Sequence, residues 1–479
     1  MKKFYITTAI PYVNAAPHLG FALELVQTDV IARYYKKIGE DVYFVTGSDE
    51  NSLKNVQSAE EEKISIKELV NRNSQKFFQL KDVLNISWDD FIRTTEERHI
   101  KGAQKLWQSC KKEDIYKKKY KGLYCVGCEA FYTEKDLVKG LCPDHRVKPE
   151  VVEEENYFFK LSNYQKELEK LISSDKLKIV PETRKNEVLT FIKSGLEDFS
   201  ISRSNQRAKN WGIAVPGDDS QKIYVWFDAL SNYINALGYA EDNELFKRYW
   251  EKNDNILHVI GKGIIRFHAI YWPAILLSAG LNLPKTIFVH GYLTINGQKI
   301  SKSLGNIIDP FETIKKYGAD SVRYYLLREI PAYEDGDFSI ERFKERYNAD
   351  LAKGIGNLVA RVITLAKNSN YQFSIPGKFT TPGFSKIFDK NKKASNQTLE
   401  EFKFNESLKF IWNFITFCDK YIEKNKVWKA SRDQKKQIGN LLAAIEEIAK
   451  LLQPFLPETS EKIKEQIKTG KSEVLFPRI

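Results

Sequence analysis

Apolar positions recur along this chain with two periods, and the change from one to the other marks out the elements. Residues 4–8 form an apolar, β-branched run that predicts a buried strand. Leu23, Val26, Val30 and Tyr34 recur at helical spacing, which predicts a helix over Leu19–Lys37 closed by Gly39. A second strand is predicted over 41–46, ending in Gly47-Ser48-Asp49-Glu50. Strand, glycine-opened helix and strand make a parallel βαβ unit, so the fold class is α/β. Ligands on such sheets sit at the carboxyl ends of the strands, here residues 8–12 and 47–49. The strand pattern resumes at 222–226, 256–260 and Thr286–His290. Between the two runs, residues 116–215 carry short strands and most of the cysteines, and read as an insertion. From about 340 the pattern turns helical, with amphipathic stretches at 341–367, 396–424 and 433–453. A basic, polar segment with Pro and Gly at 372–393 reads as an exposed, mobile linker. No internal repeat is visible.

Composition narrows the class. The 479 residues are 42% hydrophobic and 29% charged, an ordinary globular balance with length for several domains. No stretch approaches the ~20 apolar residues of a membrane helix. Met1-Lys2-Lys3 leads straight into a strand rather than a secretory leader. Five cysteines are too few for a disulfide scaffold, so a reducing, cytoplasmic location is expected. The net charge of +12 favours a polyanionic partner, although lysines spread over solvated surface would give the same count.

Two short segments carry phosphate chemistry. Ala15-Ala16-Pro17-His18-Leu19-Gly20 opens the first predicted helix, where free backbone N–H groups can hold an anion. Lys299-Ile300-Ser301-Lys302-Ser303 is a compact basic segment that can meet the remaining phosphate charge. Together they suggest ATP held between two halves of one site. In the insertion, Cys125, Cys128, Cys142 and His145 give C-x2-C, a 13-residue spacer and C-x2-H. Each close pair can form one knuckle. Three thiolates with one imidazole make a closed tetrahedral zinc site, structural and not catalytic. Coincidence of four such positions is the bland alternative. Cys110 lies outside the pattern, and Cys418 sits on an amphipathic stretch where it reads as core.

Taken in order, these segments resemble the class I aminoacyl-tRNA synthetases, and among them the methionyl-tRNA synthetase family. Pro17-His18-Leu19-Gly20 is similar to that family's HIGH signature, and residues 299–303 to its KMSKS loop. Tyr224-Val225-Trp226-Phe227-Asp228-Ala229 and Asp320-Ser321-Val322-Arg323-Tyr324-Tyr325-Leu326 extend the resemblance, which runs from Phe4 to Val474-Leu475-Phe476-Pro477. It implies a Rossmann-like parallel-sheet catalytic domain in two halves, 1–115 and 216–299. It further implies a connective insertion with a zinc knuckle at 116–215, and the lysine loop with a stem-contact segment at 300–345. An α-helical anticodon-binding domain would follow at 346–479.

The implied activity is that of a methionine–tRNA ligase, with methionine, ATP, Mg2+ and tRNA(Met) as reactants and one structural Zn2+. Methionine's carboxylate attacks the α-phosphorus of ATP, and the terminal ribose of the tRNA then takes the methionyl group. The resemblance makes His18, Lys299 and Lys302 catalytic and adds Pro17, Gly20, Gly261 and Ser301 to the ATP site. Asp49 would hold the methionine ammonium. Ala9, Ile10, Tyr12, Trp226, Ala229, Leu230, Tyr233, Ile264 and His268 would surround the side chain. Without the resemblance, Trp226 and Tyr233 read as core. Asn357, Arg361 and Trp428 would read the anticodon, while Trp428 packed between helices is an equal alternative.

The chain departs from the family pattern at four places. Phe21 replaces the signature's second histidine, and Asn51-Ser52 follow Asp49-Glu50 where the family has His-Gly. Gly263 stands for the aspartate that holds the ribose hydroxyls, and Val427 for a proline. These leave a second reading beside the ligase: a synthetase-like chain that binds tRNA or methionine and adenylates weakly or not at all. The retained lysine segment favours the ligase, since a pure binder has no need to clamp phosphate. The chain stops soon after the helical stretches, so a monomer without a further C-terminal domain is expected.

Overall fold

The computed structural model describes residues 1–127, 130–132, 134–143, 146–300, 308–371 and 379–479. Helix α1 (Leu19–Lys37) has the predicted bounds. The chain gathers into two compact units. The first is Met1–Pro17, Tyr35–Lys81 and Ser87–His290; the second is His18–Tyr34, Asp82–Ile86 and Gly291–Ile479.

The first unit is built on six strands: β1 (Lys3–Thr8), β2 (Asp41–Ser48), β3 (Asp90–Arg93), β4 (Lys178–Val180), β5 (Ile256–Gly261) and β6 (Thr286–His290). They lie in the order β3-β2-β1-β5-β6-β4 with every pairing parallel. Phe4, Tyr5, Ile6, Thr7 and Thr8 are all buried, as a central strand covered on both faces requires. The order reverses at β1, whose neighbours are β2 and β5. The carboxyl ends of these three strands therefore form the crevice where such sheets take ligands. Tyr5, Phe227, Tyr233, Trp250 and Trp272 fill the core around them.

The expected strand at 222–226 is different. Asp218–Ile223 pairs antiparallel with Ala214–Val215 and Ser202–Ser204 in a small separate sheet, and residues 225–230 are helix α2 (Val225–Leu230). The run Ile-Tyr-Val-Trp has strand propensity. Packing overrides it, because the helix buries Val225, Phe227, Ala229 and Leu230 together. Within 116–215, an antiparallel sheet runs Ala130–Tyr132, Ile115–Cys125, Glu150–Phe159, Phe199–Ser200. Strand β4, from the same stretch, instead forms the edge of the parallel sheet.

The second unit contains α3 (Asn357–Asn368), α4 (Pro382–Glu400), α5 (Phe404–Asn425), α6 (Gln434–Leu452) and α7 (Pro457–Thr469). The stretch expected at 341–367 is one helical run, with a π-helical segment at Tyr347–Gly356 before α3. The expected linker is corrected: residues 372–378 lie outside the described residues, and 382–393 belong to α4. Phe384 and Phe388, one turn apart, are buried against Phe417 and Phe414 at ring distances of 4.9 and 5.2 Å. Lysine and asparagine on the outer positions masked that narrow apolar stripe. The chain turns at Phe402, in the left-handed region with φ 61°, so the expected 396–424 stretch divides into α4 and α5. Helix α7 was not predicted.

Residues 18–34 are held in this unit by charge as well as by apolar contact. Asp29, wholly buried on α1, pairs with Arg33 and with the equally buried Arg323, both at 2.7 Å. Arg323 also donates to the carbonyls of Phe455, Pro454 and Leu84 at 2.8, 3.0 and 3.1 Å. Every face of that guanidinium is thus satisfied, which a buried charge requires.

Candidate active site

In the first unit, Ala9, Ile10 and Tyr12 follow β1 and Asp49 follows β2. Tyr12 and Asp49 pair as one parallel bridge, and the Asp49 N–H donates to the Pro11 carbonyl at 2.8 Å. Asp49 is buried, and its Oδ1 accepts the Asn51 N–H at 3.2 Å. Helix α2 supplies Trp226, Ala229 and Leu230; Tyr233 follows one turn on, and Ile264 and His268 follow β5. Trp226 lies edge-on to Tyr12 at 6.5 Å and stacks on Phe267 at 3.7 Å with 3° between planes. The predicted amino-acid residues are thus gathered at the carboxyl ends of β1, β2 and β5. Phe267, the ring that fixes Trp226, had no signal in the sequence.

The Tyr233–His268 pair sets a tautomer. His268 Nδ1 lies 3.0 Å from the Ile264 carbonyl, which only accepts, so Nδ1 carries the proton. Nε2 then accepts the Tyr233 hydroxyl at 2.6 Å. Burial pushes His268 down to about 4, so it is uncharged at neutral pH. His258, stacked on Tyr233 at 4.1 Å, is also pushed well down by burial. The result is an uncharged aromatic lining beside one carboxylate. That suits an ammonium with a flexible apolar or thioether side chain.

The phosphate-binding candidates divide between the units. Pro17 and Gly261 belong to the first, with Gly261 closing β5. His18, Gly20 and Lys299 belong to the second. His18 Nδ1 accepts the Gly20 N–H at 3.0 Å, which leaves the proton on Nε2. A Cβ at Gly20 would stand 2.8 Å from His18 Cε1, so the close approach needs glycine. The first turn of α1 has no acidic residue, which leaves its positive end open to an anion. Lys299 ends a short strand, Gln298–Lys299, paired with Leu293–Ile295. Ser301 and Lys302 lie outside the described residues.

For the RNA-reading candidates, Asn357 opens α3 on the surface and Arg361 lies one turn on. Arg361 pairs with Glu423 at 2.6 Å and Asp419 at 3.5 Å, two α5 carboxylates absent from the sequence expectation. Burial pushes the Asp419 carboxyl up to about 6. Trp428, just past α5, is 48% exposed while Val427 is buried. An exposed indole at this place is available for stacking, and it is not packed between helices.

Of the metal candidates, Cys125 and Cys142 are buried thiols outside any disulfide, whereas Cys128 and His145 lie outside the described residues. Cys125 pairs with Ala130 across a hairpin. The Cys142 N–H donates to Val147 O and its carbonyl accepts from the Arg146 N–H, both at 2.8 Å. These two buried thiols are half of the donor set that a knuckle site uses. Among the described residues, no group of three or more His, Cys, Asp and Glu is placed to hold a metal. Also among them, no helix is long and apolar enough to cross a membrane.

Residues 4–148 and 145–363 match the family described as tRNA synthetases class I (M), and 384–477 match the anticodon-binding domain of tRNA ligase. With the fold, these matches define the class: a class I tRNA synthetase. The methionine–tRNA ligase of Brucella suis is 43% identical, over 96% of this chain and 91% of its own. That of Thermotoga maritima is 42% identical, over 96% of this chain and 74% of its own. The solved Mycobacterium tuberculosis methionyl-tRNA synthetase in complex with methionyl-adenylate is 38% identical, with a TM-score of 0.91 over 100% of this chain and 98% of that one. The chain belongs to the methionine–tRNA ligase family.

Proposed function

We infer that this chain joins methionine to tRNA(Met) at the expense of ATP. The observation that carries the reading is its full-length likeness to a synthetase solved with methionyl-adenylate. In the first step a methionine carboxylate oxygen bonds to the α-phosphorus, and the bond to pyrophosphate breaks. In the second, a terminal ribose hydroxyl of the tRNA attacks the methionyl carbonyl, and AMP leaves. The protein aligns the reactants and meets charge on the phosphates, and forms no covalent bond to them.

In this reading Asp49 pairs with the methionine ammonium, and the Tyr12, Trp226, Tyr233 and His268 group takes the side chain, with Ala9, Ile10, Ala229, Leu230 and Ile264 around it. His18 donates from Nε2 to phosphate, its tautomer held by Gly20. Pro17 and Gly261 shape the nucleotide site, and Lys299, Ser301 and Lys302 clamp the triphosphate, which carries Mg2+ as part of the substrate. Trp428 stacks a splayed anticodon base while Asn357 and Arg361 meet base edges. The buried thiols of Cys125 and Cys142, with the C-x2-C and C-x2-H spacing, support one structural zinc completed by Cys128 and His145, and the protein acts as a monomer in the cytoplasm.

Methionine-dependent ATP–pyrophosphate exchange tests the reaction. Exchange is expected, and Lys302→Ala is expected to lower it about 100-fold or more, the scale of losing one charge-stabilising donor. No exchange from folded protein that still binds tRNA would sink the ligase reading in favour of a binding protein. For the metal, one zinc per chain is expected by elemental analysis, with lower thermal stability after Cys125→Ser. Metal-free protein of unchanged stability in that variant would refute it.

A further inference from the structure

We propose that Asn51, Asp228 and His99 are positioning residues for methionine, a buried relay that fixes the Asp49 carboxylate relative to Trp226. The proposal rests on Asp49 as the ammonium partner. All of these residues lie in the first unit.

Asn51 reaches Asp49 through its backbone, whose N–H donates to Asp49 Oδ1 at 3.2 Å. Its side-chain amide has two N–H groups, and both are spent. One donates to the Thr94 carbonyl at 3.2 Å and the other to Asp228 Oδ2 at 2.8 Å. Asp228 is wholly buried on α2, two residues after Trp226 and just before Ala229 and Leu230. Its other oxygen meets His99 Nε2 at 2.5 Å.

The proton positions along this chain are fixed by what His99 faces. Asn235 Nδ2 lies 3.2 Å from the His99 carbonyl, which only accepts, so the amide nitrogen points toward the histidine. The same nitrogen donates to Ser231 Oγ at 2.7 Å and lies 3.3 Å from His99 Nδ1, while the Asp228 carboxylate oxygen 2.5 Å from Nε2 accepts, so a ring proton sits on Nε2 facing Asp228. Gly102 leaves room for this contact, because a Cβ there would stand 1.9 Å from Asn235 Oδ1. Asp228 thus accepts two directed hydrogen bonds, one from the loop after β2 and one from the helix Glu97–Ser109. A carboxylate held from both sides cannot turn without stranding a donor. The loop bearing Asp49 and the helix bearing Trp226 are therefore held together.

This relay runs through one of the positions where the chain departs from the family pattern. A merely structural asparagine would affect stability and both substrates alike. A positioning residue affects methionine. In the exchange assay, Asn51→Ala is expected to raise the KM for methionine about tenfold or more, the scale of a small misplacement of a binding group. Although the resemblance puts position 51 near ATP, the Asn51 amide donates to Thr94 and Asp228, so the KM for ATP should stay within about twofold. Asn51→Asp, equal in size, replaces the donor with an acceptor facing Asp228. Its methionine KM is expected to be high at pH 8 and to recover toward pH 6, as the carboxylate pair takes up one proton.

Asp49→Asn is the control. If it leaves the methionine KM unchanged, the ammonium assignment itself falls. If it raises that KM while Asn51→Ala stays within twofold of the parent, the relay is overturned and the assignment stands. Should Asn51→Ala fail to fold, Asn51→Asp decides alone, and a methionine KM flat between pH 6 and pH 8 overturns the proposal.

Discussion

His268 is the titratable residue whose behaviour the fold alters in the most measurable way. Its folded value of about 4 lies below the ordinary 6.5, so the folded chain binds fewer protons than the unfolded chain between those limits. Stability from this group is complete above pH 6.5 and is lost as pH falls toward 4, at about 1.4 kcal/mol per unit. Acidifying from pH 7 to pH 5 should cost roughly 2 kcal/mol through His268 alone, read by denaturant unfolding. His268→Asn should flatten that slope, and an unchanged slope would mean that the histidine is not buried uncharged. Much at this scale was legible beforehand. Asp49, Trp226, Tyr233 and His268 were all named from the resemblance, and they do meet at the strand ends. Phe267, His99 and the carboxylates facing Arg361 were not foreseen. Their roles come from contacts between distant segments, which no local spacing encodes. Asp228 stood inside a quoted motif, yet only its two hydrogen bonds reveal what it does.

At the scale of elements, α1 was predicted to its bounds because a glycine opens it, apolar residues repeat through it and Gly39 closes it. Helices α2 and α4 were misread for opposite reasons: β-branched and aromatic residues disguised the first as a strand, and charged residues disguised the second as a linker. The end of α5 bears on RNA reading. Val427 anchors the chain beneath while Trp428 stands in solvent three residues past the helix. Trp428→Ala should raise the KM for tRNA in aminoacylation by about tenfold or more, since stacking one base is worth about 1–3 kcal/mol. Pyrophosphate exchange should be unaffected, and an equal loss in both assays would count against an anticodon role.

Across the whole molecule, the division into units does not follow the order of the chain. Residues 18–34 belong with residues beyond 290, and the bond set of Arg323 shows why. Arg323→Met removes one of the two partners of a buried carboxylate, the wholly buried one, and strands three carbonyls. The expected cost is about 3–5 kcal/mol, seen as a lower unfolding midpoint. A midpoint within error of the parent would show that Arg33 alone suffices for Asp29. That arrangement also constrains how the protein is made. A ribosome adds about 5–20 residues per second, so Asp29 leaves the exit tunnel well before Arg323 exists and longer still before Phe455. Until then the signature helix holds a carboxylate with only Arg33, from the same helix, as its counter-charge. A nascent chain halted before Arg323 therefore cannot complete the second unit, and a prematurely ended product is left as a substrate for proteolysis.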